Sequence, residues 1–176
     1  MRKLRNEELN RLTVEEYKKE LKIHLVVVLD NIRSMNNIGS VFRTGDAFKI
    51  EEIILCGITA IPPNKEIHKT ALGSTESVSW RYLEETSDAI LELRNKGYMI
   101  IAVEQAEESI SLFNLELRKN EKYAVIFGHE VKGVQQEIVN SSDLVTEIPQ
   151  FGTKHSLNIS VCAGIVIWEF FKKLSN

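Results

Sequence analysis

The chain has 176 residues, 43% of them hydrophobic and 27% charged, with a formal net charge of −3. That balance is ordinary for one soluble globular domain large enough to bury a core, and it gives no general basic footprint for nucleic acid, although a local basic patch stays open. The best apolar run, residues 159–167, is too short for a membrane span and is interrupted by Ser160 and Gly164. The charged start MRKLRNEELNRL is unlike a signal peptide.

The first twenty residues read as a separate helix, with Leu4, Leu9, Leu12 and Tyr17 as its apolar positions. Residues 25–30, LVVVLD, form a β-branched run expected to be a buried strand. Ile38, Val41, Phe42, Gly45 and Phe48 follow at helical spacing, with Asn36 or Asn37 as the expected cap. Residues 53–56 are the next strand, ending at Gly57; Pro62 and Pro63 then interrupt the pattern. A short strand is expected within 78–83, and a helix capped by Thr86 or Ser87 runs to Lys96 and stops at Gly97. Strands at 98–103 and 122–127, a short helix at 134–140, a strand at 144–148 and a last helix from Ser156 to Lys173 complete the chain. Strands separated by helices predict an α/β fold with a mainly parallel sheet and helices on both faces. No repeat or low-complexity tract is present.

Open parallel sheets place ligands beyond the carboxyl ends of their strands. Three polar or glycine-rich segments fall at such positions. The first, DNIRSMNNIGSVFR (residues 30–43), carries Asn37 and Arg43. Arg43 is off the apolar stripe of its helix. It is either a solvated arginine paired to Asp46 or a guanidinium fork for a phosphate or carboxylate. The second, FGHEVKG (residues 127–133), holds His129, Glu130 and Lys132 between Gly128 and Gly133. It is neither a P-loop nor a GxGxxG fingerprint, and its glycines permit close backbone approach to a ligand. The third lies in EIPQFGTKHSLNISV (residues 147–161), where Ser156 is the expected N-cap and Asn158 falls in the first helical turn. His24, His68, His129 and His155 are scattered without ligand spacing, so no metal is expected. No nucleophilic triad is supported either. Cys56 and Cys162 lack CxxC spacing, which fits buried free thiols and a cytoplasmic location.

Taken together, NNIGSVFRTGDAF, AVIFGHEVKGV and EIPQFGTKHSLNISVCAGI resemble, in order, the three motifs of the SpoU (TrmH) family of RNA ribose methyltransferases in the SPOUT superfamily. The resemblance spans residues 25–170. It implies a SPOUT α/β fold with a deep C-terminal trefoil knot, S-adenosylmethionine as cofactor, a tRNA or rRNA substrate, and a homodimer whose site is completed across the subunit interface. It divides the chain into an N-terminal extension, 1–20, and a catalytic domain, 21–176, without a separate RNA-binding domain. It implies catalytic roles for Asn37, Arg43, Glu130, Ser156 and Asn158. Cofactor contacts are implied for Gly128, His129, Glu130, Gly133, Ile148, Gln150, Ser156 and Leu157. Arg33, Arg43, Lys132 and Lys154 are expected to hold RNA. A wider basic patch would add Lys65, Lys69 and Arg81, with Lys3, Arg5 and Arg11 from the extension. Two positions depart from the pattern: His129 stands where the family usually has Asn, and Gln150 where it often has Met. The rival reading is an RNA- or nucleotide-binding α/β module without methyl transfer.

Overall fold

The computed structural model describes residues 1–175. Seven strands form one wholly parallel sheet: β1 (Ile23–Asp30), β2 (Ile50–Cys56), β3 (Trp80–Leu83), β4 (Tyr98–Val103), β5 (Ile110–Ser111), β6 (Lys122–Phe127) and β7 (Leu144–Glu147), in the spatial order β3-β2-β1-β6-β4-β7-β5. The helices are α1 (Val14–Lys19), α2 (Met35–Ala47), α3 (Lys65–Ala71), α4 (Ser74–Ser77), α5 (Thr86–Asn95), α6 (Gln136–Ser141) and α7 (Ile159–Leu174).

The period of two along each strand sorts its side chains into two cores. Leu25, Val27 and Leu29 of β1 join Val125 and Phe127 of β6 under α2 and α7, around Val41, Phe42, Val166 and Phe170. Val26 and Val28 point the other way with Ala124 and Ile126, and meet Ala89, Ile90 and Leu93 of α5 and Ile138 of α6. The central strands are buried on both faces, which is why their sequences are unbroken apolar runs. From β1 the chain first builds outward to β2 and β3, then crosses to β4 on the opposite side, and β6 later fills the place between. Strand order therefore reverses beside β1 and β6, the kind of place where a parallel sheet opens a crevice. No helix among the described residues is long and apolar enough to cross a membrane.

Several expectations are corrected. The first twenty residues do not form one helix. A 3-10 turn (Asn6–Leu9) ends at Asn10, which adopts a left-handed conformation, and a new start at Thr13, capped reciprocally with Glu16, opens the six-residue α1. Leu4, Leu9 and Leu12 are exposed, and only Tyr17 reaches the core. Helix α2 is capped by Ser34, whose side chain accepts from the Asn37 N–H, so neither Asn36 nor Asn37 is the cap. Glu85, without a side-chain bond, precedes α5. Helices α3 and α4 and strand β5 went unforeseen. Asn64 starts α3 immediately after Pro63 by accepting from the Glu66 and Ile67 N–H groups.

Candidate active site

Four neighbouring strands, β1, β6, β4 and β7, end on the same side of the sheet, and the three motif segments leave from three of these ends. A cavity of about 540 Å³ opens there, floored by Val103, Phe127 and Ile159 and walled by residues 128–133 and by parts of 147–158. Gly128, His129, Glu130, Lys132, Gly133, Ile148, Gln150, Ser156, Leu157 and Asn158 all line it. The structure thus gathers every residue expected at the cofactor. Asn37 joins this group through hydrogen bonds, whereas Arg33, Arg43 and Lys154 do not line the cavity.

Glu130 ties the second segment to the first. Its Oε2 accepts from the Arg33 N–H at 3.0 Å, and its Oε1 accepts from the Ser34 N–H at 2.9 Å and from Asn37 Nδ2 at 3.2 Å. Burial alone would raise the Glu130 pKa. The bonds from Arg33, Ser34, its own backbone and Asn37 outweigh burial and hold it below the usual carboxylate range. Asn37 then passes the link onward, because its Oδ1 accepts from Asn158 Nδ2 at 3.2 Å. Asn158 is the N-cap of α7, its Oδ1 accepting from the Ser160 N–H at 2.9 Å. Here the sequence expectation is corrected: Ser156 is exposed in the loop and caps nothing, and Asn158 precedes the first turn instead of lying in it.

The second segment is a tight turn. The Gly133 N–H donates to the His129 carbonyl at 2.8 Å, and Gly133 has φ of +70°. A Cβ on Gly128 would collide with the backbone of Gly133 and Val134, so this approach requires glycine. His129 explains its own departure from the family pattern. Its Nδ1 accepts from the Val131 N–H at 3.0 Å and the Lys132 N–H at 3.3 Å. An asparagine Oδ1 sits equally far along its side chain and makes the same local turn. With Nδ1 accepting, the proton of the neutral ring lies on Nε2.

Residues missed by sequence reasoning are Glu104 and Gln105, at the exit of β4. Glu104 Oε2 accepts from the Val134 N–H at 2.9 Å, and Gln105 Nε2 donates to the His155 carbonyl at 2.8 Å, lacing the second and third segments to β4. The only signal was a polar pair directly after an apolar strand. Cys162 also lines the cavity; burial and the nearby Glu104 push its thiol up to about 12, so it is a packing group and not a nucleophile. Among the described residues, segment 148–157 makes no backbone–backbone hydrogen bond, so apart from the His155 carbonyl, which Gln105 occupies, its amides and carbonyls are open to a ligand. No group of three or more His, Cys, Asp or Glu side chains among the described residues is placed to hold a metal ion. Of the wider basic patch, Arg81 is already committed to Glu52 and Glu92, and Lys69 to Glu66. Arg43 is exposed, and Asp46, its suggested partner, accepts from Ser77 instead.

A parallel α/β sheet with three interlaced loops around one cavity at its strand ends is the arrangement in which such sheets bind nucleotides or cofactors. Comparison with known proteins narrows the class to RNA methyltransferases. The chain belongs to the SpoU rRNA methylase family, whose model matches residues 24–168. A tRNA (guanosine(18)-2′-O)-methyltransferase of Borreliella burgdorferi is 30% identical over 155 residues, covering 86% of this chain and 67% of that one. The fold is likewise that of solved family members. A TrmH/SpoU tRNA modifying enzyme of A. aeolicus superposes with a TM-score of 0.80 at 26% identity, covering 91% of this chain and 80% of the other. An AdoMet-bound rRNA methyltransferase of Sinorhizobium meliloti gives 0.82 at 26% identity, covering 91% and 61%.

The depressed Glu130 pKa has a sign. A carboxyl with a folded value below its unfolded value of about 4.3 contributes stability that is complete above that pH and fades as the pH falls through the folded value. Thermal melts from pH 7 down to 3 are expected to show wild type losing an increment below about pH 4.3 that Glu130→Gln lacks throughout. Parallel curves for the two proteins would refute the clamp.

Proposed function

We propose that this RNA methyltransferase moves the methyl group of S-adenosylmethionine to a ribose 2′-hydroxyl of tRNA or rRNA. The observation that carries the reading is the convergence of all three motif segments on one cavity, fastened by Glu130, Asn37 and Asn158. The cavity fits the donor. Its volume of about 540 Å³ lies within the range for small-molecule sites. The backbone of 148–157, apart from the His155 carbonyl, offers neutral donors and acceptors for an adenine edge. Glu104, Glu130 and Glu147 in the lining suit a cation. Bound there, the donor supplies an electrophilic methyl carbon on a positively charged sulfur.

The chain's own residues position the reactants. Glu130, Asn37 and Asn158 hold the loops rigid, which is where most of the rate of an in-line displacement arises. Ser156, free of any capping duty, contacts ribose or donor in this reading, which its position in the cavity lining supports. Arg43 is no general base, since a guanidinium is a donor with no acceptor and does not give up its proton in proteins. It grips the phosphate beside the target ribose and stabilises negative charge as it develops on O2′, and the proton leaves to that phosphate or to solvent. Arg33, Lys132 and Lys154, all exposed around the mouth, hold neighbouring phosphates.

The active form in this reading is a homodimer. Helix α7 turns Val161, Ile165 and Trp168 outward at 51%, 38% and 49% exposure, an apolar stripe at helical spacing. Helix α2 runs alongside α7, with Asn37 near Asn158 at one end and Phe48 against Trp168 and Phe171 at the other. An interface on α7 would carry the exposed Arg43 towards the partner's cavity. A C-terminal trefoil knot and a catalytic domain beginning near residue 21 belong to the same reading, supported by family membership.

Arg43→Ala is expected to cut methyl transfer to RNA roughly 100- to 1000-fold while donor affinity measured by calorimetry stays unchanged. Full activity in that variant would sink the assignment. Ile165→Asp is expected to convert a dimer to a monomer in sedimentation experiments, and a wild type that is monomeric throughout would remove the shared site. Mapping the ribose methylated when wild type is added to RNA from cells lacking the gene decides between tRNA and rRNA.

A further inference from the structure

Asp30 ends β1, is wholly buried, and lines no part of the cavity. A buried acid is costly unless its oxygens are satisfied. Its oxygens are met from three directions. Oδ1 accepts from Asn31 Nδ2 at 2.8 Å, from Thr86 Oγ1 at 2.6 Å and from Gln135 Nε2 at 3.0 Å. Oδ2 accepts from the Gln135 N–H at 3.4 Å. In every contact Asp30 is the acceptor, a role that suits the acceptor-only ionised side chain and that an amide fills on one side alone.

Gln135 follows directly on the turn that walls the cavity. That turn is held at its start by Glu130 on the Arg33 and Ser34 N–H groups, and near its end by Glu104 on the Val134 N–H. Asp30 supplies the last anchor and ties it to the exit of β1 and to the start of α5. We infer that Asp30 is a positioning residue for the methyl donor: acting through Gln135, it fixes the far end of the 128–134 turn and so sets donor affinity without touching the donor. The inference rests on the reading of the cavity as the S-adenosylmethionine site.

Asp30→Asn sets an amide donor either against the Gln135 N–H or against Asn31, Thr86 and the Gln135 side chain, so at least one bond to Gln135 is lost and the turn is loosened. Gln135→Ala removes the side-chain bond of that anchor from an exposed position and leaves only the 3.4 Å contact of the residue 135 N–H, so it serves as the test where Asp30→Asn folds poorly. The swap Asp30→Asn with Gln135→Glu reverses the bond, the new amide donating to the new carboxylate. On the full chain, with S-adenosylmethionine as the probe, each single variant is expected to raise the donor Kd and KM about ten-fold. kcat at saturating donor and the KM for RNA should stay within about two-fold of wild type, and the swap should recover most of the affinity. A general loss of structure would lower kcat and both KM values together, and the swap would not restore it. Folded single variants that bind the donor as wild type does, or a folded swap no better than Asp30→Asn, would overturn the inference. A wild type that fails to bind S-adenosylmethionine at all would overturn the cavity assignment first and this inference with it.

Discussion

The site depends on one carboxylate crossing from one loop to another. Glu130 accepts the two backbone N–H groups at the entry to α2, where the partial positive charge of the helix end favours an anion, and it does so from 96 and 97 residues away in sequence. Ser34 caps the helix locally through the Asn37 N–H, so the donors that Glu130 takes are ones that this cap leaves over. Asn37 has its amide committed at both ends, donating to Glu130 and accepting from Asn158. Reversing that amide would lose both bonds, and aspartate at 37 would set one carboxylate against another. The three motifs are therefore one directional chain of hydrogen bonds, Asn158 to Asn37 to Glu130, laid across three strand ends. Because chains of this kind strengthen one another and leave costly orphans when broken, each member constrains the identity of the next.

The sheet explains why the chain can be so short-ranged in space and so long-ranged in sequence. Strands β1 and β6 are adjacent, although nearly a hundred residues separate them, so residues 30–37 and 128–135 emerge side by side. Strands β4 and β7 lie next in line, bringing Glu104 and the 148–157 loop to the same edge. The second segment and the two residues after it are tied at several points to other segments, and the third, which lines the cavity, makes no backbone–backbone hydrogen bond over 148–157 and is held by Gln105 at the His155 carbonyl. Rigidity is concentrated in the wall and readout in the loop, the division expected where a small cofactor must be both held and recognised.

What was legible in the sequence follows the same logic. Strands β4 and β6 agree with their expected limits to the residue, because a strand buried on both faces must be an unbroken apolar run bounded by polar ends. Elements that owe their existence to tertiary contact were invisible. Strand β5 has two residues, and α4 has four. Helix α3 hides behind Pro62 and Pro63 until Asn64 caps it. Caps misled wherever the capping side chain had competing work: Asn37 looks like a cap but serves the loop chain, while Asn158, taken for a first-turn residue, both caps α7 and reaches Asn37. Glu104 carried no pattern of its own, since an acid after a strand is commonplace until the segment it holds is known to lie beside it.

The exclusion of Arg43 from the cavity is consistent with the charge of a sulfonium donor. Glu104, Glu130 and Glu147 line the space, and the positively charged residues at its wall are limited to Lys132 and whatever charge His129 and His155 carry. A guanidinium held inside would repel a cationic donor before any RNA arrived, at an energy that grows as water is excluded. On the exposed face of α2 the same guanidinium is solvated and costs nothing until a phosphate meets it. In the proposed reading, the phosphate would neutralise the arginine as it delivers the ribose. Donor and RNA would, in that reading, occupy regions of opposite charge on adjoining elements. Under the same proposed reading, this would account for an arginine that sits on the helix whose first turn is lashed to the cavity, yet has its own side chain exposed.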